Sequence, residues 1–320
     1  MNVREIALRS LLAICKDEGY SNIVVSQAIQ KYKMEDRDRR FYTELVYGTL
    51  RYINYLDWIV SKISTRKLNK LDPLCLAIVR LGLYQIFGMT KVPESAACNE
   101  SVKLATRLGN KGMAGFVNAM LRSSLRRRQE FSIPTMEEDP LLHLTMTYHQ
   151  QDWLVKAWIK EYGLAETEAL CRYFDSIPVL CLRTNTARVS RDELIAQLAE
   201  EGIQAEKAAY APEGVYLPEI PNIGSVKALK KGLAIIQDEP SQLVAHVLDP
   251  QPHELIFDVC AAPGGKTTHI AALGGSTCTV YGGDIYEHKL RLIESNAKHL
   301  GLANVRTILQ NACTIGQSYA

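Results

Sequence analysis

The sequence predicts a multidomain protein in which an all-α domain precedes a small α/β domain and a partial, doubly wound α/β domain. Apolar residues recur at helical spacing through the first 130 positions. That stretch carries 22 Lys and Arg against 12 Asp and Glu, whereas residues 131–320 carry 15 against 23. Near position 258, an apolar run leads into a glycine-containing turn and then into helix-forming sequence. The length of 320 residues suits two or three domains.

The first 130 residues are predicted to be helical throughout. No alternating strand pattern interrupts them, and Gly19, Gly88 and Gly109 separate the helical segments. Two of the apolar helix faces consist of Val3, Ile6, Ala7, Leu11 and Ile14, and of Leu74, Ala77, Ile78, Leu81 and Ile86. The excess of positive charge favours a polyanionic partner for this domain, although a basic helical domain without such a partner stays open.

A linker is predicted around residues 129–140, where two prolines flank an acidic run. The small α/β domain, residues 140–235, follows. Its expected elements are a helix from Asp152, a strand over 179–185, a helix between the capping box Ser190/Glu193 and Gly202, and a strand over 215–217. We expect the two tryptophans of the first helix, Trp153 and Trp158, to belong to the core and not to stack on bases.

Residues 258–267 are the most informative segment of the chain. The apolar strand over 255–257 ends at Asp258, and the small-residue turn that follows opens a helix extending to Leu273. Such a turn directs backbone N–H groups at a ligand. A phosphate-binding Walker A loop is excluded because Cys260 stands where its first glycine belongs, and the dinucleotide pattern G-x-G-x-x-G is absent.

Two more predicted strands continue this domain. The second strand, residues 280–284, ends in Asp284, whose carboxylate is placed to accept both hydroxyls of a ribose. A helix with one apolar face then ends at Gly301, and a third strand covers residues 305–309, just before Asn311. A doubly wound sheet normally has five or more strands, so three leave an open edge and exposed apolar surface.

Composition excludes several classes of protein. No apolar stretch is long enough to cross a membrane, and the N-terminus lacks a signal-peptide pattern. Eight cysteines without C-x-x-C spacing argue against zinc and for a reducing compartment. We therefore expect a cytoplasmic protein without a metal site.

The quoted segments resemble a known family. Residues 258–267, Asp-Val-Cys-Ala-Ala-Pro-Gly-Gly-Lys-Thr, are nearly the cofactor-binding segment of S-adenosylmethionine-dependent RNA cytosine-C5 methyltransferases. Residues 36–51, 80–85 and 115–122 resemble NusB-type RNA-binding helical domains, and Arg183-x-Asn185 and residues 237–242 resemble the part that precedes the family's cofactor loop. The whole chain is similar to bacterial 16S rRNA cytosine-C5 methyltransferases of the RsmB (Sun) type.

The resemblance implies a domain division and a cofactor site. Residues 1–130 would be a NusB-like RNA-binding domain, 140–235 a small RNA-binding domain, and 236–320 the first half of a Rossmann-like methyltransferase domain acting on 16S rRNA. The implied contacts to S-adenosylmethionine are Cys260, Ala261, Ala262, Pro263, Gly264, Gly265 and Lys266, with Asp284 on the ribose and Asn311 facing the adenine. An acid usually stands at the place of Asn311. Lys266 could equally pack its aliphatic stem at the helix N-terminus.

The resemblance also implies that the catalytic residues are missing. Methylation at cytosine C5 requires a thiolate that adds to C6. In the family both working cysteines follow the fourth and fifth strands, in Pro-Cys and Thr-Cys contexts, whereas this chain stops at Ala320 after three strands. Cys313 lies too early, Cys260 belongs to the turn, and Cys278 is expected to be a buried strand residue. We therefore expect no catalytic residue in this chain, which is either a fragment or has its sheet edge covered otherwise.

Four arginines near the end of the helical domain are candidates for phosphate contacts, namely Arg122, Arg126, Arg127 and Arg128. The alternative is a solvated helix C-terminus, where cations complement the helix dipole. Two functions remain open on the sequence. One is a 16S rRNA methyltransferase without its catalytic half, and the other is a non-catalytic RNA-binding protein that uses the NusB-like domain alone.

Overall fold

The computed structural model describes residues 2–176, 178–221, 223–314 and 316, so the chain end at Ala320 lies outside the described residues. The chain divides into two compact units, residues 1–177 and residues 178–320. Residues 140–177 group with the helical part in this division. The three domains with boundaries at 130–140 and 235 remain a prediction.

The described secondary structure of the first unit is all helical, as predicted for residues 1–130. Its helices are α1 (Val3–Cys15), α2 (Ser21–Tyr32), α3 (Asp36–Arg51), α4 (Ile53–Ile63), α5 (Pro73–Phe87), α6 (Glu94–Leu108), α7 (Lys111–Arg126), α8 (Pro140–Thr147) and α9 (Asp152–Asp175). Side-chain caps begin several of them. Asp72, Asn110 and Asp139 accept hydrogen bonds from backbone N–H groups in the first turns of α5, α7 and α8.

Helices α1 to α7 enclose one continuous hydrophobic core. The largest fully buried side chains in it are Leu8, Tyr42, Leu45, Leu56, Ile59, Ile78, Leu81, Leu83 and Leu121. The predicted apolar faces of α1 and α5 both contribute to this core. Burial of this many large side chains is the main source of stability for such a helical domain.

The region from residue 129 to 176 differs from the predictions in two ways. Phe131 is buried in the helical core and its carbonyl accepts a hydrogen bond from the Tyr55 hydroxyl, so the predicted linker begins after this residue. Trp153 is 68% exposed, so its assignment to the core was wrong. Helical periodicity alone did not show which face of α9 is covered. Trp158 packs in a small cluster with Leu144 and Val155, as expected.

The second unit begins with a four-stranded antiparallel sheet of order β2-β3-β1-β4. Its elements are β1 (Leu180–Thr184), α10 (Arg191–Glu200), β2 (Glu206–Lys207), β3 (Gly214–Leu217), α11 (Lys227–Lys230) and β4 (Ala234–Ile236). Ser190 and Glu193 form the predicted capping box at the start of α10. The strands predicted over 179–185 and 215–217 are confirmed as β1 and β3.

A three-stranded parallel sheet of order β5-β6-β7 follows. Its elements are α12 (Glu239–Leu248), β5 (Leu255–Asp258), α13 (Gly265–Leu273), β6 (Thr279–Asp284), α14 (Glu287–Leu300) and β7 (Val305–Leu309). The bounds of the three strands and the ends of α13 and α14 agree with the sequence prediction to within about one residue, whereas α12 was not predicted. Gly301 ends α14 in the left-handed conformation with φ of 75°. Leu255 and Leu309, on the two outer strands, are 61% and 58% exposed.

None of the helices in the described part of the chain is long and apolar enough to span a bilayer.

Candidate cofactor site

The three parallel strands bring three polar side chains to one edge of the sheet. Asp258 ends β5, Asp284 ends β6, and Asn311 follows β7 by two residues. The register pairs Asp258 with Gly282 and Asp284 with Leu309. Ligands of open parallel sheets bind outside the carboxyl ends of the strands, so this edge is the expected ligand side.

The turn between β5 and α13 is fixed by backbone hydrogen bonds. The N–H of Ala261 donates to the carbonyl of Gly283 at 2.9 Å, which attaches the turn to β6. Gly264 has φ of 100°, a backbone conformation that is strained for any residue with a side chain. A Cβ at this position would also lie 3.2 Å from Cα of Ile293. The pattern of small residues is therefore required by the close approach of the turn to α14.

The N-terminus of α13 faces the same edge with unsatisfied donors. The N–H groups of Gly265, Lys266 and Thr267 have no acceptor among the residues that the structure describes. Such groups and the helix dipole favour a carboxylate or other anionic group. An amino acid carboxylate therefore fits this end of the helix.

The side chains around the turn are held in defined positions. Asp258 accepts a hydrogen bond from the Thr267 hydroxyl at 2.7 Å and a longer one, 3.4 Å, from the N–H of Cys260. The Cys260 side chain is exposed. The Lys266 side chain is exposed as well and has no hydrogen-bond or ion-pair partner within the described residues. The buried residues Ala261 and Gly264 shape the turn, whereas Ala262 and Pro263 are more accessible.

Asp284 and Asn311 differ in how much of their hydrogen-bonding capacity is already used. Asp284 is 9% exposed; its Oδ1 accepts from the N–H of Tyr286 at 3.1 Å, and Nζ of Lys289 lies 3.8 Å from its Oδ2. Asn311 is exposed, and its Oδ1 accepts from the N–H of Cys313 at 3.0 Å. The carboxylate of Asp284 thus keeps an oxygen for a ribose, while the expected acceptor of Asn311 is partly occupied.

A buried arginine behind the turn was not assigned a role from the sequence. Arg183, at the end of β1, is 2% exposed and donates to Gln237 Oε1 at 2.6 Å, to the carbonyl of Gly265 and to the hydroxyl of Thr268 at 3.0 Å. Burial lowers its pKa to about 10, and the carboxylate of Glu213 opposes that shift, so it stays charged at neutral pH. Arg183 therefore connects the antiparallel sheet to the first turn of α13.

Neighbouring residues add to this connection. The Asn185 side-chain amide donates to the carbonyls of Gly232 and Leu300 at 2.8 and 2.9 Å, so it joins the loop before β4 to the end of α14. Glu239 is buried and accepts from the N–H of Ala211 at 2.8 Å and from the hydroxyl of Tyr216. The resemblance had indicated these segments, but only the structure shows that they hold the cofactor half against the antiparallel sheet.

The described cysteines near the turn differ in exposure. Cys278 is fully buried just before β6, close to its predicted place, and burial raises its pKa. Cys313 is exposed in the short 3-10 turn after β7. A fully buried thiol with a raised pKa is a poor nucleophile.

The four predicted phosphate-binding arginines separate into two pairs. Arg127 and Arg128 lie after the end of α7 and form ion pairs with Glu130 and Glu94. Arg122 and Arg126 are exposed on α7, and within the described residues their side chains donate to the neutral side chains Asn118 and Ser123. In the part of the chain that the structure describes, no carboxylate pairs with Arg122 or Arg126.

Comparison with family models divides the chain into three matched regions. Residues 1–126 match the NusB family, residues 150–223 match the ferredoxin-like domain of RsmF/B-like methyltransferases, and residues 245–319 match the 16S rRNA methyltransferase RsmB/F family. The NusB-like part and the Rossmann-like methyltransferase part expected from the sequence are thus confirmed.

Individual relatives agree with this result. The chain is 37% identical over 320 residues to the probable ribosomal RNA small subunit methyltransferase B of Bacillus subtilis, covering 99% of this chain and 70% of that protein. It is 38% identical over 307 residues to the Synechocystis protein of the same description, covering 96% of this chain and 68% of the relative.

Solved structures show the same fold. The crystal structure of PH0851 has a TM-score of 0.74 at 22% identity and covers 98% of this chain and 70% of its own. A methyltransferase homolog protein from Pyrococcus horikoshii has a TM-score of 0.52 at 27% identity, over 57% of this chain and 60% of that one.

Proposed function

Because the chain belongs to the family of ribosomal RNA small subunit methyltransferase B, an S-adenosylmethionine-dependent family, we propose that it takes part in methylation of C5 of a cytosine in 16S rRNA. The observation that carries the proposal is the strand edge where Asp258, Asp284 and the free N–H groups of α13 converge. The cofactor supplies the methyl group; the residues of this chain bind and orient it.

We assign the parts of the cofactor to the sheet edge as follows. The N–H groups at the start of α13 hold the carboxylate of the methionine part, where Gly264 and Gly265 permit close approach. The free oxygen of Asp284 accepts from the ribose hydroxyls. Asn311 faces the adenine, through its amide group and the remaining lone pair of Oδ1.

The chemistry at cytosine requires a group that we place outside residues 1–320. A thiolate must add to C6 before C5 accepts the methyl group, and a base must then remove the C5 proton. Cys260 belongs to the cofactor loop, and Cys278 is buried. Cys313 is exposed but follows the third strand, earlier in the chain than the working cysteines of the family. Residues 1–320 are therefore proposed to bind cofactor and RNA without completing methyl transfer.

Calorimetric titration of the 320-residue protein with S-adenosylmethionine tests the cofactor assignment. We expect saturable binding that is lost in Gly264→Val, because a branched side chain there is strained and contacts Ile293. Gly202→Val is the matched control, since Gly202 has φ of 73° but no atom within 4 Å of an added Cβ and lies in the antiparallel part. Failure of the unchanged protein to bind, or retention of binding in Gly264→Val, contradicts the assignment.

Methyl transfer gives a separate test. With labelled S-adenosylmethionine and 16S rRNA, we expect cofactor binding but no labelled cytosine. Label in the RNA would show that the nucleophile lies within residues 1–320 and would overturn that part of the proposal. Absence of cofactor binding together with retained RNA binding would favour the second function, a non-catalytic RNA-binding protein.

The helical unit is proposed to supply part of the RNA contact through Arg122 and Arg126. Replacing both by Gln should reduce the slope of log affinity against log salt by about 1.4 to 1.8, because each lost phosphate contact removes roughly 0.7 to 0.9. Replacing Arg127 and Arg128 is the comparison, since Glu130 and Glu94 already pair with them. Equal changes in the two double variants would show that the ion pairs do not decide which arginines bind RNA.

A further inference from the structure

Three potential metal ligands from separate elements converge beside the antiparallel sheet. Glu213 precedes β3, His246 lies on α12 and His269 lies on α13. Oε2 of Glu213 is 2.8 Å from Nε2 of His246 and 3.5 Å from Nε2 of His269, and the three ligand atoms all lie within 4.8 Å of one another. Two imidazole nitrogens and one carboxylate oxygen are a known set of zinc ligands.

Among the described residues, neither ring nitrogen of His269 has a partner with hydrogen-bond geometry, although the side chain is only 1% exposed. Burial lowers its pKa, so the ring is neutral at physiological pH, which is the form that binds a metal ion. A buried imidazole with neither nitrogen satisfied costs free energy, and native structures rarely leave such a group without a ligand or water. A metal ion at the position between the three side chains would satisfy one of its nitrogens.

Glu213 supplies negative charge at the same place. Burial by itself raises the pKa of this carboxyl, but the hydrogen bond with His246 and the close approach of the His269 imidazole lower it to about 2, so the carboxyl is ionised at neutral pH. The nearby cation Arg183 directs its N–H groups to Gln237, Gly265 and Thr268 and forms no direct ion pair with Glu213. The carboxylate therefore remains available to a cation that approaches between the two histidines.

We propose that Glu213, His246 and His269 bind a Zn²⁺ ion, with a water molecule as the fourth ligand. The His246 side chain is 31% exposed and provides the access from solvent that a fourth, exchangeable ligand needs. The mixed nitrogen and oxygen set favours zinc over Mg²⁺ or Ca²⁺, which prefer oxygen ligands only.

The bound ion would fix α12 and α13 to the loop that precedes β3. Because the first turn of α13 also forms the cofactor site, the ion would stiffen that turn from behind. The sequence offered no zinc motif, since the first and second ligands are 33 positions apart and the second and third are 23 positions apart. The expectation of no metal site considered only cysteine spacing.

Zinc titration of the metal-free, full 320-residue protein tests the proposal. Calorimetry should give one site per chain, and His246→Ala and Glu213→Gln should each weaken binding at least about tenfold. His253→Ala is the matched control because His253 is exposed and outside the cluster, and it should bind like the unchanged protein. Unaltered zinc affinity in His246→Ala, or no binding by the unchanged protein, would overturn the proposal.

A second readout separates ligand loss from misfolding. Cobalt at the same site should give the visible absorption of a four-coordinate ion, and this absorption should be absent in His246→Ala even though the far-ultraviolet circular dichroism of the variant is normal. Zinc should raise Tm in the unchanged protein and in His253→Ala but not in His246→Ala, and Mg²⁺ should raise none of them. A zinc-dependent rise in His246→Ala equal to that of the unchanged protein would place the ion elsewhere.

Discussion

The helical core of α1 to α7 and the parallel sheet of β5 to β7 are stabilised in different ways. The helical core contains most of the largest fully buried side chains, such as Tyr42 and Leu81. Around the sheet the buried apolar residues are fewer and smaller, including Ala245, Ala271 and Cys278. The cofactor turn depends instead on buried polar contacts from the antiparallel sheet. Substitutions in the two regions should therefore have separable effects.

The largest effect is expected from Arg183→Met. The substitution leaves Gln237 and the carbonyl of Gly265 without their buried donor, and removing one partner of a buried charged network costs about 4 kcal/mol. Pulsed hydrogen exchange in increasing denaturant should show earlier unfolding of peptides from residues 178–314, with no change in residues 2–131.

Arg188→Met is the control for that experiment. Arg188 lies in the same segment but is exposed, and it donates to the carbonyl of Lys231. Its replacement should cost far less. An equal loss of stability in Arg183→Met and Arg188→Met would show that burial of the guanidinium does not determine the contribution of Arg183.

Leu81→Ala should have the next largest effect, in the helical core. Leu81 is fully buried, and truncation of such a side chain costs about 3 kcal/mol through lost burial and the cavity left behind. Residues 2–131 should unfold at a lower denaturant concentration, while calorimetry should find the affinity for S-adenosylmethionine unchanged. A parallel fall in cofactor affinity would show that the two regions do not behave separately.

Asp284→Asn should weaken cofactor binding without unfolding the sheet. The amide keeps the acceptor for the N–H of Tyr286 but loses the charge that strengthens hydrogen bonds from a ribose. We expect a loss of about 2 kcal/mol, roughly thirtyfold in Kd. Asp249→Asn, at the exposed C-terminus of α12, is the comparison and should bind normally. A loss of affinity of less than about threefold in Asp284→Asn would contradict the proposed contact between Asp284 and the ribose.

Acidification from pH 7 to pH 5 should produce a smaller difference in stability between residues 178–314 and the helical core. Burial lowers the pKa of His269 below that of an unfolded histidine, so its contribution to stability is present above about pH 6.5 and is lost as the pH falls. Residues 2–131 contain no histidine. The denaturant concentration at the unfolding midpoint should therefore fall for residues 178–314 and stay constant for the helical core. In His269→Gln this pH-dependent difference between the two regions should disappear. A larger fall in the helical core would contradict this reasoning.

Local signals in the sequence predicted much of the fold. The strands β5 to β7 and the ends of α13 and α14 followed from apolar runs, glycines and strand-terminal acids that lie close together in the chain. Contacts between residues that are distant in the chain could not be predicted from such local signals. Arg183 meets Gly265 across 82 residues, and no local pattern marks it as buried. Trp153 was misplaced for a related reason, since helical spacing does not identify which face another element covers.

The most direct test of the central claim is peptide-level hydrogen exchange with and without S-adenosylmethionine. Bound cofactor should slow exchange at the N–H groups of Gly265, Lys266 and Thr267 and leave exchange in residues 2–131 unchanged. Exchange at the start of α13 that stays the same when the cofactor is bound, with protection elsewhere, would contradict the claim that this turn holds it.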